Sequence, residues 1–213
     1  MYPSSQHNHQ SSASAPSRSS GHGSHKHSSH HHSLVPPPGA DPQVWHWFAA
    51  VDADRSGYIT PDELRTALLN ANGTRFDLDT LKMLMTTFDT DHNGSIGFQE
   101  FTGLWKYIAD WQNVFRHFDR DHSGSIDGRE MTEALRSFGY NFSHSLFTLI
   151  EHKYASGPVT EYGPPPAITF DRFIRACVNI KTLTDSFKRL DLDRDGWIRV
   201  NYEQFMSLVL SAP

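Results

Sequence analysis

Asp52-Ala53-Asp54-Arg55-Ser56-Gly57-Tyr58-Ile59-Thr60-Pro61-Asp62-Glu63 decides the fold of this chain. Oxygen-bearing side chains stand at its first, third, fifth, ninth and twelfth places, with a glycine at the sixth and an isoleucine at the eighth. The order returns from Asp89 to Glu100, with Asp89, Asp91, Asn93, Gly94, Ser95 and Ile96 in register and Gly97 at the ninth place. It returns again from Asp119 to Glu130, with Asp119, Asp121, Ser123, Gly124, Ser125, Ile126, Asp127 and Glu130. A lone Asp-Ser-Gly run is commonly a surface turn. Three in register, each followed by a stretch of helical periodicity, form an internal repeat.

Such a loop suits a hard cation. Ca²⁺ takes roughly six to eight oxygens, and a glutamate at the twelfth place closes the shell with both of its own. This is the EF-hand arrangement. Its candidate ligands are Asp52, Asp54, Ser56, Thr60 and Glu63 in loop one, Asp89, Asp91, Asn93 and Glu100 in loop two, and Asp119, Asp121, Ser123, Asp127 and Glu130 in loop three. Tyr58 lends a backbone carbonyl from the seventh place, which Ser95 and Ser125 hold in the other two loops. Gly97 leaves room for water at its ninth place.

Two further loops depart from the pattern. Asp191, Asp193, Asp195, Gly196 and Ile198 begin a fifth in register, yet Arg199 stands at its ninth place and Tyr202 at its twelfth, with Glu203 one residue late. Weak calcium binding or none is expected there. A fourth shows mainly in its exit, Ala167 to Phe173, where Ile168 holds the eighth place and Arg172 the twelfth. Counted from Ala155 it is six residues too long, contains Gly157, Pro158 and Pro164 to Pro166, and lacks the acidic series. It is expected to brace the fold without holding an ion.

Loop starts at 52, 89, 119, 155 and 191 give two kinds of connection. An interval of 30 leaves room for one helix serving as exit of one hand and entry of the next. Such helices are expected after loop two and, once the six extra residues are removed, after loop four. On the first, Phe101, Leu104, Trp105, Ile108, Trp111, Phe115 and Phe118 recur at helical spacing and are expected in the core. On the second, Phe173, Ile174, Val178, Leu183, Phe187 and Leu190 repeat the arrangement. Breaks at Asn72-Gly73 and from Gly139 to Asn141 turn the chain back, setting hands one and two, then three and four, side by side. The fold class is all-α, with five helix-loop-helix hands and short β-bridges between paired loops, and the fifth hand is left without a partner.

Composition narrows the rest. Residues 1–39 are Ser, His, Gly and Pro with eight of the 14 histidines and no acid, and are expected to form a disordered arm ahead of a folded domain from residue 40 to 213. Its His tract, His30 to His32, raises a Zn²⁺ or Cu²⁺ reading that lacks supporting neighbours. The chain's net charge is −5, and because Arg18 and Lys26 lie in the arm the remainder carries −5 − 2 = −7, so nucleic-acid binding is not expected. No apolar run is long enough to span a membrane, and the first thirty residues lack a signal peptide's apolar centre, so a cytoplasmic location is expected, with nuclear or peripheral membrane association through partners as alternatives. Cys177 stands alone and reads as a small buried group.

Five hands with shared helices, a defective fifth loop and an N-terminal arm resemble the penta-EF-hand family. Phe101-Thr-Gly-Leu-Trp-Lys-Tyr-Ile-Ala-Asp-Trp-Gln-Asn-Val-Phe115 and Asp195-Gly-Trp-Ile-Arg-Val-Asn-Tyr-Glu-Gln-Phe205 look like its apoptosis-linked (programmed cell death) branch, with the peflin branch next. The resemblance implies a non-enzymatic Ca²⁺ sensor and adaptor that exposes an apolar groove and recruits Pro-rich segments. It also implies a homodimer, or a heterodimer with a related chain, through the fifth hand. The alternatives are a calcium buffer without a target and a regulatory subunit of a calcium-dependent protease; the chain holds no Cys/His/Asn constellation of its own. A Ser/His-rich arm and an insertion in loop four depart from the family's usual pattern.

Overall fold

The computed structural model describes residues 35–157 and 167–210; the proposed arm up to residue 34 and most of the loop-four insertion lie outside the described residues. Eight helices and two short strands follow the expected order among them. Helix α1 (Pro42–Val51) is capped by Asp41, whose carboxylate accepts from Gln43 N at 2.7 Å and Val44 N at 3.3 Å. Loop one leads through β1 (Tyr58–Ile59) into α2 (Pro61–Ala67), and α3 (Leu78–Phe88) starts at the cap residue Asp77. Loop two contains β2 (Ile96–Gly97). The 21-residue helix α4 (Phe98–Phe118) then leaves hand two and enters hand three as one element. After α5 (Gly128–Ser137) and α6 (His144–Tyr154), α7 (Phe170–Leu190), also 21 residues, joins hands four and five in the same way. Helix α8 (Tyr202–Leu210) closes the fifth hand.

The eighth-place isoleucines pair as their spacing predicts. β1 and β2 are antiparallel with Ile59 opposite Ile96. Ile126 and Ile168 exchange two backbone hydrogen bonds of 2.8 and 2.9 Å. All four are fully buried, so each bridge is also a core contact between neighbouring hands. Among the described residues no strand pairing involves Ile198.

Helix α4 carries the core from one pair to the next. Phe101, Leu104, Ile108, Phe115 and Phe118 are buried, and Phe115 meets Phe170 and Phe173 edge-on at centroid distances of 5.4 and 5.6 Å. Trp105 and Trp111 are only half-buried, the first with its ring 4.4 Å from that of Trp47. On α7 the expectation holds for Phe173 and Ile174, which are buried, and fails further on: Leu183 and Leu190 are exposed and Phe187 is half-buried. Helix α8 contains no buried residue and does not cover Leu183 or Leu190. Cys177 is buried as expected, and desolvation pushes its thiol well above the ordinary range.

Candidate metal centres

Each of the first three loops is folded around its first aspartate. Asp52 accepts from Ser56 N through Oδ1 and from Gly57 N through Oδ2, both at 2.9 Å. Asp89 does the same with Asn93 N and Gly94 N at 3.0 and 2.9 Å, and Asp119 with Ser123 N and Gly124 N at 2.9 and 3.0 Å. This tight winding drives the sixth-place glycines to φ between 77 and 85°, and it forces Arg55, His92 and His122 at the fourth place to φ of 60, 56 and 56°.

The closing glutamates already reach across their loops. Glu63 Oε1 accepts from Ala53 N at 2.9 Å, while Oε2 accepts from Thr60 N and Thr60 Oγ1 at 2.8 Å. Glu100 accepts from Thr90 N and from Gly97 N at 2.8 Å, and Glu130 from Arg120 N at 2.9 Å and Asp127 N at 3.0 Å. Burial of Glu63 and Glu100 disfavours their charge, but the surrounding N–H and hydroxyl donors outweigh it and hold both carboxyls below the ordinary range. Asp54 and Asp121 are lowered chiefly by the hydroxyls of Ser56 and Ser123. Carboxylate oxygens of Asp52, Asp54 and Glu63 lie within 4.8 Å of one another, as do those of Asp89, Asp91 and Glu100 and those of Asp119, Asp121 and Glu130. Ionised hard donors gathered in this way fit Ca²⁺.

The remaining sequence-expected ligands surround these groups. Ser56 and Ser123 donate through Oγ to the carbonyls of Tyr58 and Ser125 at 2.9 Å. Asn93 Oδ1 accepts from Ser95 N at 2.8 Å. At the ninth place, Thr60 Oγ1 accepts from Glu63 N at 3.3 Å and Asp127 Oδ1 from Glu130 N at 2.8 Å, so both side chains serve as helix caps.

Loop four is built differently, whereas loop five shares the winding, with Asp191 accepting from Asp195 N and Gly196 N at 3.2 Å, and lacks the closing glutamate. Arg172, in the place of the closing glutamate, donates to the carbonyl of Ala155 at the loop's first place and pairs with Asp77 at 3.1 Å. A side-chain cation thus spans entry and exit of hand four. Next to it Asp171, 1% exposed, accepts from Asp77 N at 2.6 Å and Thr169 Oγ1 at 2.5 Å, tying α7 to the start of α3. Position spacing marked Arg172 as a defect and passed over Asp171, because both also pair with Asp77, more than ninety residues away. Loop five gathers Asp191, Asp193 and Asp195. Its twelfth residue, Tyr202, is 78% exposed, and Asn201 and Gln204 cap the helix reciprocally at 2.9 Å.

Similarities to known proteins follow the same geometry. An EF-hand domain pair matches twice, over residues 45–106 and 108–210. Sorcin of Schistosoma japonicum is 44% identical over 162 residues, which cover 76% of this chain and 91% of sorcin. The chain belongs to the penta-EF-hand family. Human peflin is 38% identical over 175 residues, 82% of this chain, and the penta-EF-hand chain spans about three fifths (60%) of that relative's length. A solved structure described as a homolog of programmed cell death 6 protein from Leishmania major Friedlin superposes with a TM-score of 0.67 at 29% identity, covering 80% of this chain and 94% of that one. The penta-EF-hand chain is accordingly a calcium-binding protein. Among its described residues no helix is long and apolar enough to cross a membrane.

Proposed function

We propose that loops one, two and three hold Ca²⁺ through the ligands named above, and that ion binding exposes an apolar cleft which recruits Pro-rich segments of partner proteins. The observation that carries the reading is the cleft between α1, α2 and α4. It has a volume of about 150 Å³ and is walled by Trp47, Val51, Leu64, Leu68, Phe101, Leu104, Trp105 and Ile108. Two of its walls begin at closing glutamates: Glu63 is in the first turn of α2 and Glu100 in that of α4. Movement of either carboxylate toward a bound ion therefore moves a wall of the cleft. An aromatic slot suits an extended Pro-rich segment, which loses little entropy on docking. The chain's own Pro36, Pro37 and Pro38 are not among the lining residues.

A titration of a Pro- and Tyr-containing peptide, followed by tryptophan emission, tests this. Binding in saturating Ca²⁺ that vanishes in chelator is expected. Binding unchanged in chelator would remove the switch, and calcium uptake with no peptide binding would return the chain to a buffer. We propose that the protein acts in the cytoplasm, with peripheral membrane association arising through partners.

A further inference from the structure

Loop three has a neighbour that its twelve residues do not include. A β-carbon at Gly128, the loop's tenth residue and the first of α5, would sit 2.5 Å from Oε1 of Glu151 and 2.6 Å from its Cδ and Oε2. The half-buried carboxylate of Glu151, on α6, therefore lies flat on the backbone of the loop, in room that glycine alone leaves open. None of the ion pairs among the described residues involves Glu151.

Two forces act on that carboxylate. The positive end of α5 attracts it by roughly 0.3–1 kcal/mol. Asp127, one residue away, and Asp119, Asp121 and Glu130 beyond it repel it. The balance depends on what the loop holds: without a divalent cation the neighbourhood is a cluster of like charges, and a bound cation offsets part of their repulsion. We propose that Glu151 is an outer carboxylate of loop three, which makes no bond to the ion and raises the loop's affinity through its charge. This rests on the reading that loop three binds Ca²⁺. In water a unit charge and a neighbouring divalent ion interact strongly enough for a several-fold change in affinity, and salt screens part of it.

The experiment is calorimetric titration of Ca²⁺ into the full chain carrying Glu63→Gln and Glu100→Gln, so that loop three dominates the heat. Adding Glu151→Gln keeps the shape and removes the charge. The expected result is binding weakened about two- to sixfold at low ionic strength, with the deficit shrinking as KCl is raised. In chelator the same variant should unfold at an unchanged or higher temperature, because a repulsion has been relieved. Gly128→Ala provides the independent check: the added carbon displaces the carboxylate by rotating a flexible side chain, so affinity should fall while α5 gains helix propensity. Equal affinity with and without the Glu151 charge, or equal destabilisation in chelator and in calcium, would overturn the proposal and leave Glu151 a packing residue. A parent that gives no heat at loop three would overturn the loop assignment as well.

Discussion

Glu63 does two jobs, closing the loop and completing the cap of α2, and they separate under mutation. Glu63→Gln keeps one acceptor oxygen, enough for the cap at Thr60 or for Ala53 but not for both, and gives up a charge and bidentate closure. Titration calorimetry should lose one site, its affinity reduced on the order of tenfold or more, while helix content by circular dichroism stays constant. Glu130→Gln should do the same for loop three. His92 offers a test of the loop's winding rather than its chemistry. It is held at φ 56°, where a residue with a β-carbon is strained by about 1 kcal/mol and asparagine is tolerated. His92→Asn should raise stability in chelator, read from urea denaturation, by a few tenths of a kcal/mol, since histidine also tolerates this region in part. At this scale the sequence is nearly transparent, because ligand places are fixed by counting. What counting misses is the second use of Thr60 and Asp127 as caps, which shows only once the direction of each side chain is known.

Among the elements, hand four is held by groups that no ion supplies. Arg172 bridges Ala155 and Asp77, and Arg175 pairs with Asp77 at 3.1 Å and Asp79 at 2.6 Å, so α3 and α7 are fastened by charges and by the buried Asp171. Arg172→Met, which keeps the stem and drops the charge, should cost about 1–3 kcal/mol in urea denaturation, equally in calcium and in chelator. A loss confined to one condition would mean that hand four responds to the ion after all. The two shared helices were legible from the 30-residue spacing, since α4 and α7 each run 21 residues without a break. The exposure of Leu183 and Leu190 was not. Periodicity identifies the apolar stripe of a helix but cannot say whether a later element arrives to cover it.

For the molecule as a whole, the exposed apolar residues of the fifth hand pose a solubility problem: Trp197 is 80% exposed, and Phe205, Val209 and Leu210 on α8 are exposed as well. Pairing of the fifth hand with its copy, or with a related chain, would cover this surface and give Ile198 a strand partner. The intact chain should then sediment as a dimer at micromolar concentration, and a chain ending at Leu190 as a monomer. An intact monomer would leave the terminus to another partner. The β-bridges impose a different kind of order. One bridge links two hands that each gather three carboxylates, whereas the other links loop three to a hand already closed by its own arginine. Calcium uptake should therefore be the sum of two unlike curves. One is steep, as loops one and two fill with mutual assistance through Ile59 and Ile96. The other is a simple hyperbola, because the neighbour of loop three has no second ion to offer, so that this hand reports concentration in proportion while the first pair acts as a threshold.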